Sequence, residues 1–329
     1  MTFSALLLQR DEVTHAELTQ VNHDQLPEGS VTVRVQFSTL NYKDALAITG
    51  KAPVVRQFPM VPGIDFAGVV AHSDDPEFAP GDAVLLNGWG LGESRWGGLA
   101  QYARVPAKWL QHVPEGLTTR RSMMLGTAGY TAMLCVHRLE ALGLKPDTGP
   151  VLVTGANGGV GSTAIALLAR RGYEVVASTG RVDSHARLQA LGATRIVDRA
   201  QLSEPGKPLQ KELWAGVVDS VGSHTLANAC AAMRYGGVVA ACGLAQGMDL
   251  PASVAPFILR GVTLAGVDSV YAPMAQRHVA WADLGASLPG EIIDTMAEEV
   301  PLDQAVRYAE PLLAGKLLHG RVLIKVEDQ

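Results

Sequence analysis

Three cysteines among 329 residues are too few for a disulfide scaffold. Cys135, Cys230 and Cys242 lie far apart in apolar surroundings, the usage of buried free thiols in a reducing cytoplasm. No C-x-x-C pair is present, so the spacing offers no structural zinc site. Nine histidines remain, but none forms H-E-x-x-H or a close His/Cys pair, and no metal is expected. An excess of positive charge is also missing. The net charge is -5, which gives no basic stripe for nucleic acid. No apolar stretch approaches the roughly 20 residues of a membrane-spanning helix. The segment from Met1 to Arg10 lacks a cationic leader and reads as a first strand rather than a signal peptide.

What is present is a chain long enough for two domains at about 150 residues each. Up to about Leu117 it is rich in short strands. Ser30-Val-Thr-Val-Arg-Val-Gln-Phe37 alternates with period two, and Phe66–Ala71 and Ala83–Leu86 are further apolar runs punctuated by Pro59, Pro62-Gly63 and Pro80-Gly81. From Thr119 the texture changes. Met123–Arg138 reads as an apolar helix. Strands at 151–154, 174–178, 195–198, 216–219 and 237–242 then alternate with helices at 162–171, 185–191 and 225–233. This alternation predicts an α/β fold with a doubly wound parallel sheet, joined to a β-rich domain. Asp303–Leu313 reads as one more helix, and Gly320–Val326 as a strand returning to the first domain.

The strongest single motif is Val151-Leu-Val-Thr-Gly-Ala-Asn-Gly-Gly-Val-Gly-Ser162. An apolar run stops, glycines follow three apart, and a helix opens. Backbone passing that close to a helix N-terminus suits a dinucleotide pyrophosphate. The absence of a Gly-Lys-Ser/Thr ending argues against an ATP loop. The expected contacts are Gly158, Gly159, Val160, Gly161, Ser162 and Thr163. An acid about 20 positions on would favour NAD by holding a ribose 2′-hydroxyl. Here Ser178-Thr179-Gly180-Arg181 stands there instead. Hydroxyls beside a guanidinium suit a 2′-phosphate, and Arg199 after the next strand is a second cation for it. NADPH is therefore the expected cofactor.

Several longer blocks carry a resemblance. These are Leu40-Asn-Tyr-Lys-Asp-Ala-Leu-Ala-Ile-Thr-Gly50, Pro62-Gly-Ile-Asp-Phe-Ala-Gly-Val-Val70, Gly97–Pro106, Gly126-Thr-Ala-Gly-Tyr-Thr-Ala132, Ala240-Ala-Cys-Gly-Leu244 and Pro256–Val270. Together with the glycine loop they resemble the medium-chain dehydrogenase/reductase superfamily, and within it the zinc-free acrylyl-CoA reductase branch, relatives of quinone oxidoreductase. The resemblance spans essentially the whole chain. It implies a GroES-like domain of residues 1–122 and 297–329, an inserted Rossmann domain of residues 123–296, and a homodimer joined across 257–270. The family's zinc enzymes carry Gly-His-Glu where this chain has Gly63-Ile64-Asp65, and a ligand cysteine within the stretch matching Asn41–Asp44. Both are replaced here, and the loop of four structural cysteines is absent.

The resemblance implies reduction of a carbon–carbon double bond conjugated to a thioester, with acrylyl-CoA giving propionyl-CoA. Hydride reaches the β carbon, charge develops on the thioester oxygen and a proton reaches the α carbon. Such chemistry asks for alignment and charge stabilisation rather than a covalent nucleophile. Tyr42, Asn41 and Asp44 are the catalytic candidates: a hydroxyl at the nicotinamide, an amide donor, and a charge that fixes the loop. Asp44 also reads as the cap of a helix at 44–49. Thr127, Leu244, Ile258 and Ser269 are further implied cofactor contacts, with Ser269 ending a strand. Lys43, Lys51, Arg56 and Arg95 are cations available to coenzyme A phosphates. Trp89 and Trp96 either wall an acyl pocket or anchor their glycine-rich loop. A quinone or enal reductase of the same superfamily, and a non-catalytic NADPH-binding structural or redox-sensing protein, are the competing readings.

Overall fold

The computed structural model describes residues 2–326. The chain divides into two compact units. One runs to Thr127 and resumes at Val270, and the other spans Ala128–Ser269. These limits differ from the sequence-based boundaries at 122/123 and 296/297. The reason is local. Residues 270–296 pack with the first unit, where Arg277 donates to the Asn87 carbonyl at 2.6 Å and Trp281 Nε1 to Asn87 Oδ1 at 3.1 Å.

The first unit contains β1 (Thr2–Arg10), β2 (Thr14–Asn22), β3 (Val31–Leu40), α1 (Tyr42–Thr49), β4 (Asp65–Ser73), β5 (Ala83–Asn87), β6 (Tyr102–Val105) and β7 (Gln111–His112). The helical run α2 (Thr119–Ala141) starts in this unit and is broken at Gly126, whose φ of 50° and ψ of -156° are not helical. Beyond the second unit come α7 (Met274–Ser287), α8 (Gly290–Ile293), β14 (Glu298–Pro301), α9 (Ala305–Leu313) and β15 (Val322–Lys325). The sheet order is β14-β15-β3-β4-β5-β7, with β6 on β3, while β1 and β2 form a separate hairpin. In β3 the period-two reading holds over Val31, Val33 and Val35, buried in one core with Phe66, Leu86, Val322 and Ile324, and lapses at Phe37, where the pairing with β4 shifts register and Ser38 turns inward. The returning strand expected near the end of the sequence is β15, antiparallel to β3.

The second unit alternates β8 (Val151–Val153), α3 (Gly159–Arg170), β9 (Val175–Thr179), α4 (His185–Ala190), β10 (Arg195–Asp198), β11 (Trp214–Asp219), α5 (Ser223–Ala231), β12 (Met233–Ala241), α6 (Ala255–Arg260) and β13 (Thr263–Gly266). All its sheet pairings are parallel, in the order β10-β9-β8-β11-β12-β13. This is the doubly wound order of dinucleotide-binding sheets, and the switch point lies between β8 and β11. Every residue of β9 and β11 is buried, as a strand covered on both faces requires.

Candidate active site

In the first unit, two carboxylates are buried in a largely apolar core. Asp65 opens β4 and is fully buried, and Asp44 is 1% exposed. Asp65 Oδ1 accepts from Thr39 Oγ1 at 2.6 Å. Its Oδ2 accepts from the Thr127 backbone at 2.7 Å, from Thr127 Oγ1 at 2.7 Å and from Asn41 Nδ2 at 3.1 Å. One side chain thus ties the end of β3, the start of α1 and the break in α2. Asp44 accepts from the Asn41 backbone at 2.9 Å and from the Gly63 and Ile64 backbones, each at 3.0 Å. Burial pushes the Asp44 carboxyl up to about 7, and the charge of Asp65 adds to the rise. The N–H donors from Asn41 and Gly63 oppose it.

Arg321, just ahead of β15, is the buried cation of this cluster. It donates to the carbonyl of Met124 at 2.9 Å and to that of Met123 at 3.3 Å. Burial lowers its pKa, and the charges of Asp65 and Asp44 work against that fall. Gly126 lies between these groups. A Cβ there would stand 3.0 Å from Asp65 Oδ2 and would also strike Arg321 Nη2, so the left-handed break in the helix requires glycine.

The sequence-derived candidates of this unit are placed as follows. Asn41, not Asp44, is the N-cap of α1, and Asp44 occupies the third helical position. Tyr42 is the first helical residue and 46% exposed, two positions before Asp44. The Asn41 amide nitrogen is directed at Thr39 Oγ1 (2.8 Å) and Asp65. Among the loop cations, Lys43 pairs with Glu93 at 2.6 Å and Lys51 with Glu310 at 3.0 Å. The Arg56 backbone donates to the Glu93 carbonyl at 2.7 Å, and Arg95 lies over Trp109 at 5.2 Å. Trp89, at φ 54°, stacks on Trp109 at 5.9 Å, and Trp96 donates to the Pro59 carbonyl at 3.2 Å. Both tryptophans hold their loop to the core.

In the second unit the glycine loop follows β8 and leads into α3, whose N-cap is Gly158. A Cβ on Gly161 would collide with the Gly155 carbonyl and lie 2.7 Å from Ala156 Cα, so only glycine lets this backbone close. The Ser162 and Thr163 hydroxyls turn back to the Gly159 carbonyl, at 3.4 and 2.8 Å. Gly159 and Val160 form the first turn between them. Ser178 and Thr179 end β9 and are buried. The Ser178 carbonyl accepts from the Ala156 backbone at 3.2 Å, and Thr179 Oγ1 from the Arg181 backbone at 3.2 Å. Arg199 folds over Gly180, where a Cβ would lie 2.8 Å from its Nε. Arg181 and Arg199 therefore flank Gly180 at the carboxyl ends of β9 and β10. Leu244 is 54% and Ile258 is 73% exposed. Ser269 lies three residues beyond the end of β13, in a bend rather than at a strand terminus.

Three groups escaped the sequence reading, and a fourth, Asp65, entered it only as a replaced position of the zinc enzymes. Asp65 and Arg321 are described above. Arg187, on α4, donates to Asn157 Oδ1 in the glycine loop at 3.3 Å, and burial lowers its pKa. Asp219 ends β11 at the switch point, where Oδ1 accepts from Thr154 Oγ1 at 2.6 Å and Oδ2 from the Gly222 backbone at 2.8 Å. Burial raises the Asp219 pKa. The available signal for both acids was an Asp inside an apolar run, since such residues are rarely buried without partners.

Profiles of two families match the chain: the alcohol dehydrogenase GroES-like domain over residues 27–115, and the zinc-binding dehydrogenase over residues 159–283. A probable acrylyl-CoA reductase of Escherichia coli is 53% identical over 98% of both chains. An acrylyl-CoA reductase of Ruegeria pomeroyi is 50% identical over 98% of this chain and 99% of its own. An oxidoreductase from Salmonella enterica, solved in complex with NADP, superposes with a TM-score of 0.96 at 52% identity, covering 98% of this chain and all of the other. The chain belongs to the medium-chain dehydrogenase/reductase family, in the branch of the acrylyl-CoA reductases.

Proposed function

We propose that the protein reduces the conjugated double bond of a short enoyl-CoA, acrylyl-CoA to propionyl-CoA, at the expense of NADPH. The observation that carries the substrate is the full-length likeness to two acrylyl-CoA reductases. The residues of the second unit fit the cofactor. The glycine loop would face the pyrophosphate, where the Gly161 position admits no Cβ. Arg181 and Arg199 would take the 2′-phosphate around Gly180, and Arg187 stands next to the same loop. When bound, NADPH supplies the hydride that the β carbon receives.

The chain's own residues then orient and balance charge. Tyr42 offers its hydroxyl at the start of α1, and Asn41 and Asp44 hold that helix turn against Gly63 and Ile64. Thr127 adds a hydroxyl fixed by Asp65. The proton needed at the α carbon comes from Tyr42 or from water. The ligand positions of the zinc enzymes are Ile64 and the Asn41–Asp44 stretch, which supports a metal-free route. A cytoplasmic homodimer completes the reading. Three free thiols suit the compartment, and the exposed apolar side chains of α6 beside the edge strand β13 suit the dimer.

The test is NADPH oxidation by enoyl-CoA thioesters of increasing chain length, with a quinone in parallel. A kcat/KM at least tenfold higher for the three-carbon thioester is expected. Faster turnover of the quinone would replace this reading with that of a quinone reductase.

A further inference from the structure

The hydrogen bonds around Asp65 have a direction. Thr39 Oγ1 accepts from Asn41 Nδ2 at 2.8 Å, and Thr127 Oγ1 accepts from Asn87 Nδ2 at 3.3 Å. A hydroxyl has a single proton to give. Each of these hydroxyls gives it to Asp65, at 2.6 and 2.7 Å. Asn87 is itself held in one orientation, because its Oδ1 accepts from Trp281 Nε1 at 3.1 Å. The chain of donors therefore runs from Asn87 through Thr127 to Asp65, and from Asn41 through Thr39 to Asp65. Four donors converge on one buried carboxylate, and both this carboxylate and the Arg321 guanidinium border the space that a Cβ on Gly126 would occupy. Thr127 is the one partly exposed residue in the run from Ser122 to Tyr130.

We propose that Asp65 is a positioning residue that fixes Thr127 as a hydrogen-bond acceptor, so that a ligand meeting this hydroxyl must bring a donor, as the carboxamide N–H of a nicotinamide does. The inference rests on the NADPH reading above. Asp65 takes the one proton that would let Thr127 approach a carbonyl oxygen. It also draws the Asn41 amide nitrogen inward, so neither group supplies a donor to the charge that develops on the thioester oxygen. That duty falls to Tyr42 or to water.

Equilibrium binding of NADP and of its 3-acetylpyridine analogue, which has a methyl ketone in place of the carboxamide, tests the polarity. The wild type is expected to favour the carboxamide cofactor about tenfold, the value of one hydrogen bond. Asp65→Asn should bring that ratio to about one or invert it, because the new amide donates where the carboxylate accepted. Thr127→Val should also bring it to about one, and the double variant should add nothing further. Thr127→Ser should keep the wild-type ratio. Asp65→Asn weakening both cofactors equally would assign Asp65 a purely structural role and overturn the proposal. If Asp65→Asn does not fold, the valine variant decides: a ratio left near tenfold rejects the inference. Failure of the wild type to bind either cofactor would overturn the NADPH reading instead, and equal binding of both would overturn only the polarity.

Discussion

At the scale of single residues, the first unit buries two acids, Asp44 and Asp65, and two arginines, Arg277 and Arg321, in a largely apolar core. Burying such groups costs several kcal/mol each unless partners replace water. Asp65 obtains four donors, whereas Asp44 obtains three backbone donors and titrates near 7. The sign of the linkage follows. In the unfolded chain Asp44 loses its proton near pH 4, while in the folded protein it keeps the proton up to about 7. Between those values the folded state binds more protons, so stability falls as pH rises, by at most about 1.4 kcal/mol per unit. Asp44→Asn removes this dependence. The variant should be less stable at pH 5, since its amide opposes the Asn41 N–H, yet its urea midpoint should fall less than that of the wild type between pH 5 and 7. Parallel falls in the two proteins would show that Asp44 does not carry the proton.

At the scale of elements, the parts legible in the sequence were those set by local pattern. The alternation in β3, the apolar runs of β8, β9 and β11 and the glycines ahead of α3 each obey a local rule, and the parallel sheet follows from their order. The cap of α1 lies three residues ahead of Asp44, the cap that the sequence suggests. Both Asn41 and Asp44 are residues that cap helices, and only the backbone shows Asn41 as the cap with Asp44 reaching back to its N–H. The break at Gly126 was invisible for another reason. A glycine inside an apolar helix is tolerated, and what makes it necessary here is Arg321, some two hundred residues away. In the sequence Asp65 stands out only as a replacement in a metal-binding pattern, because its four donors come from two distant stretches, Thr39–Asn41 and Thr127. The loop before α3 gives a prediction of its own. In Gly161→Ala the new methyl meets backbone at Gly155 and Ala156, which cannot rotate away. The loop must open where the pyrophosphate would lie. NADPH should bind at least tenfold more weakly by fluorescence titration, and an unchanged Kd would exclude the loop from the cofactor site.

At the scale of the whole molecule, both ends of the sequence build one unit, since β15 pairs with β3 and β14 with β15. The second unit is continuous and ends on an open edge. Among the described residues its outer strand β13 pairs only with β12. Unpaired edges invite further pairing, and soluble proteins cover them or occupy them. Around this edge Val254, Ile258 and Leu259 are each more than 60% exposed. Exposed apolar side chains grouped in this way are the usual makings of an association surface. A second copy presenting the same strand would satisfy the edge and cover the side chains by a two-fold contact in which each subunit gives what it receives. Sedimentation of the intact protein should therefore report the mass of two chains. Val254→Glu combined with Leu259→Glu places four carboxylates in such an interface, two from each copy, and should shift the population toward single chains while leaving the circular dichroism spectrum unchanged. A variant that still sediments as two chains would move the contact away from α6 and β13. A wild type that sediments as one chain would leave this edge to a different partner.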